Sequence, residues 1–218
     1  MAVSTSDVSS RSYTGLEGIL LGFPVLGAVA GLAMLVAQAA GVGSATGLVA
    51  GMGAMWVFGL LVALAIPVLL YLDATELGDH DLDWSPSPVL YAVLGFLFSG
   101  LVLIHYLYRR HEEVRSTGGG SDRWWLVAVG AVVLPAILSA LSFGGLVPSS
   151  VFAGLALAFL LPVGVYKDAV YVRGGDAGWN PNPAMQFTVA FVSLLLPILS
   201  VPYLGYYLYK RYTSVGLP

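Results

Sequence analysis

The chain contains no cysteine, which excludes disulfides, thiolate metal sites and a cysteine nucleophile together. Charge is scarce as well. Asp, Glu, Lys and Arg make up 10% of the 218 residues, against roughly 25% in ordinary soluble domains. None of them lies between Gly18 and Leu72, between Trp84 and Tyr108, between Trp124 and Tyr166, or between Ala177 and Tyr209. What fills these stretches is apolar: 58% of the residues are hydrophobic and the mean hydropathy is +0.85. In water such a chain would expose large apolar patches, so the expected setting is a lipid bilayer, as a multi-pass protein of the cell membrane.

A hydrocarbon core about 30 Å thick takes roughly 20 helical residues to cross. Six apolar segments are long enough, at about 17–40, 46–72, 87–109, 124–144, 149–170 and 184–209. They are apolar all round and do not alternate over about ten positions as barrel strands do, so the expected fold class is an all-α integral membrane protein with about six transmembrane helices. The stretch from Met1 to Glu17 holds one basic residue, Arg11, and no small-residue cleavage pattern, so the first segment reads as a retained helix. Gly-rich stretches at 40–47 and 144–150 read as tight turns. Counting Lys and Arg in the loops puts Arg109, Arg110, Arg115, Arg123, Lys167 and Arg173 on one face and Arg11, Lys210 and Arg211 on the other, which predicts both ends outside.

An internal repeat runs at an offset of 95 residues. Ile66-Pro-Val-Leu-Leu-Tyr-Leu-Asp-Ala74 aligns with Leu161-Pro-Val-Gly-Val-Tyr-Lys-Asp-Ala169, pairing Tyr71 with Tyr166 and Asp73 with Asp168. The match continues through Asp81/Asp176, Trp84/Trp179, Pro86/Pro181 and Pro88/Pro183. A second match aligns His105-Tyr-Leu-Tyr-Arg-Arg110 with Tyr206-Tyr-Leu-Tyr-Lys-Arg211, six residues further out of register. The expected organisation is therefore a polar tail at 1–16, a three-helix repeat at 17–110, a polar linker at 111–123, a second three-helix repeat at 124–211 and a short tail at 212–218. Three crossings per copy would place the Asp73 and Asp168 loops on opposite faces, the inverted-repeat arrangement on which many transporters are built. If one span only dips into the bilayer, the copies become parallel.

Ser85-Pro86-Ser87-Pro88 and Asn180-Pro181-Asn182-Pro183 read as helix starts, with Ser or Asn capping free amides and Pro at the first helical position. Trp84, Trp179 and the Tyr pairs match aromatic belts at headgroup level, with Arg109, Arg110, Lys210 and Arg211 as basic anchors reaching towards phosphates. The functional alternative is that the repeated Tyr, Asp and Trp residues line a binding surface. The acidic run Asp73, Glu76, Asp79, Asp81 and Asp83 reads as a solvated loop, because Trp84 and Leu90 replace the Gly and Glu that a calcium loop starting at Asp79 requires. Gly pairs at 18/22, 27/31 and 47/51 mark close-packing helix faces. Only Glu17 and His105 stand at the membrane edges of the spans, which argues against a proton relay at the midplane. No catalytic residue, metal or cofactor is expected.

Asp168-Ala169, Trp179 to Pro183 and Tyr207 to Arg211, with the degenerate first copy from Asp73 to Arg110, give the chain a resemblance to a diffuse set of multi-pass membrane proteins from salt-loving archaea. They share an Asp-Ala, a Trp-Asn-Pro-Asn-Pro and a helix ending in Tyr-Leu-Tyr-Arg-Arg. The resemblance covers about half of the chain and implies membrane placement without carrying over an activity. Expected partners are the lipid bilayer and another membrane protein or a second copy, not nucleic acid. The expected role is membrane binding, scaffolding or accessory function, with a small-solute transporter or channel as the alternative and a lipid-modifying enzyme third.

Overall fold

The computed structural model describes residues 3–4, 11–39, 45–115, 120–143, 150–175 and 178–216. Apart from a two-residue parallel bridge between β1 (Val3–Ser4) and β2 (Val114–Arg115), it is helical. The helices are α1 (Arg11–Ala39), α2 (Ala45–Gly78), α3 (Pro88–Glu113), α4 (Trp124–Phe143), α5 (Ser150–Ala158), α6 (Leu160–Gly174), α7 (Pro183–Leu195) and α8 (Ser200–Val215). Five segments are long and apolar enough to cross a membrane: Arg11–Ala33, Trp56–Gly78, Pro88–Glu113, Trp124–Phe143 and Ala153–Gly174. Large apolar side chains stand bare along them, among them Trp56 at 77% and Leu101 at 74% exposure, as a lipid-facing surface permits.

The chain divides into two compact units, Met1–Leu20 with Ala37–Arg115, and Leu21–Val36 with Ser116–Pro218. In the first, α2 runs on to Gly78, so Asp73 and Glu76 belong to its last turns and not to a loop. Ser87 caps α3 by accepting from the Leu90 N–H at 3.4 Å, with Pro88 as the first helical residue. α3 is then broken at Phe98 (φ −133°, ψ 35°), next to the Ser99-Gly100 pair, a combination that commonly kinks helices.

This break reverses the chain. A straight helix over Pro88–Glu113 would hold its ends about 38 Å apart. Yet the Trp84 ring, just before the helix, lies 5.3 Å from the Tyr106 ring and 5.9 Å from the Arg109 guanidinium. The Tyr91 and Tyr106 rings are also 5.0 Å apart. The expected straight span at 87–109 is thus a helical hairpin of two converging arms.

The second unit corrects the sequence reading in one place. The expected span at 149–170 is α5 and α6, joined at Phe159 in helical geometry (φ −61°, ψ −15°) into a segment long and apolar enough to cross. The expected span at 184–209 is α7 and α8 joined by a 3-10 turn at Pro197–Leu199. Pro197 has no N–H to give to Ser193, and it forces Leu196 out of helical geometry (φ −128°, ψ 82°). The Ser193 carbonyl instead accepts from the Ser200 hydroxyl at 3.1 Å, so the break leaves that group satisfied without water. α7 and α8 fold against each other, with the Tyr203 hydroxyl donating to the Gln186 carbonyl at 3.0 Å. In a continuous helix those residues would be about 25 Å apart. Asn182 caps α7 by accepting from the N–H groups of Ala184 at 3.1 Å and Met185 at 3.3 Å.

Glycines set several close approaches. A Cβ on Gly164 of α6 would lie 2.6 Å from the Ala128 main-chain nitrogen of α4, and one on Gly31 of α1 2.5 Å from the Ala156 methyl of α5. Gly27 faces the Phe159 ring, whereas Gly18 and Gly22 face open space. Of the Gly-rich turns expected at 40–47 and 144–150, residues 40–44 and 144–149 lie outside the described residues, as do the environments of Gly47 and Gly51, while Ala45–Gly47 and Ser150 already belong to α2 and α5. Gly164→Ala forces two backbones apart and is expected to cost about 1–3 kcal/mol, seen as an earlier loss of monodisperse protein on heating in detergent. Gly22→Ala, with free space and better helix propensity, leaves that transition unchanged or raises it.

Candidate functional site: buried aspartate, arginine and tyrosine

Each unit carries a charged cluster sealed from solvent. In the first, Asp73 is 0% exposed and Arg110 is 1% exposed. Asp73 Oδ2 accepts from Arg110 Nε at 2.8 Å and from the Tyr106 hydroxyl at 2.7 Å. Tyr13, in the first turn of α1, lays its ring 3.8 Å from the Arg110 guanidinium carbon, a cation–π contact. Trp84 and Tyr91 close the aromatic wall around Tyr106.

The second unit repeats the chemistry. Asp168 and Arg211 are buried in the same way. Arg211 Nε donates to both Asp168 oxygens, at 3.0 and 2.9 Å, and the Tyr207 hydroxyl donates to Oδ2 at 3.0 Å. The remaining guanidinium nitrogens donate to main chain, Nη1 to Gly216 at 2.6 Å and Nη2 to Asp122 at 2.9 Å. Trp125, in the first turn of α4, places its ring 5.8 Å from the Arg211 guanidinium. The Trp179 and Tyr207 rings are 5.2 Å apart, against 5.3 Å for Trp84 and Tyr106.

An isolated carboxylate or guanidinium costs several kcal/mol to remove from water even after relaxation, and a mutual contact offsets this only when geometry is good and the leftover polar atoms are bonded. The Nε–carboxylate contacts are short in both units, and in the second the other two guanidinium nitrogens are bonded to main chain as well. The repeat pairs Arg109 with Lys210 but Arg110 with Arg211, and the buried position is the one where a guanidinium fork serves several acceptors. Arg109 stays outside, bonded to Glu112 at 2.8 Å with its side chain 39% exposed.

Other repeat positions behave differently. Pro86 and Pro181 are both buried, and Trp84 and Trp179 are half-buried. Tyr166 is buried, whereas Tyr71 is 45% exposed. Asp81 is exposed, and Asp176 lies outside the described residues. Pro88 and Pro183 open their helices. Asp73 is therefore no part of a solvated acidic loop, and Arg110 and Arg211 turn inward instead of reaching for headgroups.

The ion pairs themselves escaped the sequence reading. The available signal was an Asp and an Arg of opposite sign in each of the two matched segments. Tyr13 and Trp125 fall outside the aligned motif and carry no signal of their own. Among the described residues no group of three or more His, Asp or Glu side chains could hold a metal ion. An open groove of about 260 Å³ between α7 and α8 is lined by Met185, Val192 and Leu199 among others. Its Thr188 and Tyr203 hydroxyls are turned to main-chain oxygens, so it offers no converging polar groups.

No protein-family model, no curated protein and no solved structure matches this chain.

Removing one partner of a buried ion pair leaves the other uncompensated, so Asp168→Asn and Arg211→Met should each cost about 3–5 kcal/mol. Replacing both by apolar residues, Asp168→Leu with Arg211→Met, is expected to recover most of that loss. Thermal unfolding in detergent of the two single variants and the double variant measures the coupling. Additive losses would show that the contact is not what holds this region.

Proposed function

We propose that the chain is a multi-pass scaffold or accessory protein of the cell membrane that binds another membrane protein or a second copy of itself, and that it is built from a duplicated unit of two helices followed by a bent hairpin. The carrying observation is that the aspartate of each motif finds its partners within its own unit. Asp73 and Asp168 each bond an Arg and a Tyr, so neither offers a free carboxylate to a substrate. That also removes the basis for a lipid-modifying enzyme, which rested on interfacial Asp and Tyr. The same pairing of Asp, Arg, Tyr and Trp at aligned positions supports duplication, and the exposed apolar helices support an embedded protein.

A small-solute channel or transporter is the second reading, favoured by the helix breaks at Phe98 and at Leu196–Leu199. Irregular backbone at membrane depth is tolerated where it is covered by protein or lines a water-filled cavity. Photocrosslinking in native membranes from a residue introduced at exposed Asp81 or Glu112 separates the two. A discrete adduct with one membrane protein, or a dimer of the chain, is the expected result. Absence of any adduct, together with solute flux in proteoliposomes above the empty-vesicle rate, would favour transport.

A further inference from the structure

We infer that the chain crosses the bilayer four times, with both hairpins dipping in and returning to the face they left, and that this shared face is cytoplasmic. α3 is long and apolar enough to span, but its geometry does not let it. Its flanks meet, with Trp84 5.9 Å from the Arg109 guanidinium, and Arg110 near its end bonds Asp73 in the last turns of α2. Entry and exit therefore lie at one membrane surface. The first arm, residues 88–97, is about 15 Å long, half the roughly 30 Å hydrocarbon core.

The second hairpin obeys the same constraint. α7 begins after Trp179, whose ring is 5.2 Å from that of Tyr207 in α8, and Arg211 bonds Asp168 near the end of α6. The 13 residues of α7 reach about 20 Å, again short of a crossing.

With the hairpins returned to their starting face, the sequence falls into a simple pattern. Charges occur only at 7–17, 73–83, 109–123, 167–176 and 210–211. The two long uncharged stretches, 18–72 and 124–166, each hold two spans. The two short ones, 84–108 and 177–209, each hold a hairpin. Every excursion then starts and ends on one side, which collects all 9 Lys and Arg and all 12 Asp and Glu. The sequence between the two spans of each pair, 40–44 and 144–149, contains neither.

Six straight crossings would instead split the basic residues six against three. A nine-to-none division is far stronger under the rule that Lys and Arg in short loops stay cytoplasmic, and it reverses the orientation expected above. The repeats become parallel in place of inverted. Any partner recognised through charge is thereby met from the cytoplasm.

Four single-cysteine variants of this cysteine-free chain test the inference: Gly78→Cys and Glu112→Cys flank the first hairpin, and Gly178→Cys and Thr213→Cys flank the second. All four positions are exposed, and a Cβ at Gly78 or Gly178 meets nothing within 4 Å. A membrane-impermeant maleimide is expected to leave all four unlabelled in intact cells and to label all four to similar extents in inside-out vesicles. Opposite sidedness of Gly78 and Glu112, or of Gly178 and Thr213, would show a full crossing between them and overturn the hairpin placement. Labelling of all four in intact cells would overturn the cytoplasmic assignment.

Discussion

A carboxylate enclosed in a body of apolar helices must meet a cation or lose its charge, and that requirement organises both units of this protein. Asp73 and Asp168 sit in the last two turns of α2 and α6, fully withdrawn from solvent. Each is met by an arginine from a later segment that arrives with its Nε aligned. Meeting that condition fixes where the later segment ends, and so whether it runs straight or turns back. The aromatic residues follow from the same demand. Tyr106 and Tyr207 add a hydroxyl to the carboxylate, and Tyr13 and Trp125 cover the guanidinium with a ring.

Composition and motif structure were legible in the sequence because they depend on local rules. Long uncharged stretches announce helices in lipid, and Ser87 and Asn182 before Pro88 and Pro183 announce helix starts through the chemistry of free amides. The repeat located the positions that turn out to be paired. The pairing itself was hidden, because Asp73 and Arg110 are 37 residues apart and the apolar stretch between them has the length of a span. Hydropathy cannot distinguish a straight helix from two converging arms, since both are apolar throughout. The deciding information is one residue's backbone at Phe98 and the closure it allows.

Proline and serine show how a break can persist in such surroundings. Pro197 removes a donor that the Ser193 carbonyl needs, and three residues later Ser200 supplies a hydroxyl in its place. Ser193 itself donates to the Ala190 carbonyl at 2.7 Å, so both hydroxyls are committed to main chain. The two serines do locally what solvent does at the ends of helices in water.

The two matched segments differ by six residues between cap and arginine. In an unbroken helix that difference would rotate Tyr207 and Arg211 by about 240° relative to their counterparts and carry them away from Asp168. They close on it nonetheless, because the Leu196–Leu199 turn uncouples the outgoing arm from the returning one. How deep a hairpin reaches and whether its base is latched are thus separate variables. The tip can therefore be lengthened or shortened while the latch stays fixed, whereas one residue inserted between Tyr207 and Arg211 would swing the guanidinium about 100° around the returning arm, away from Asp168.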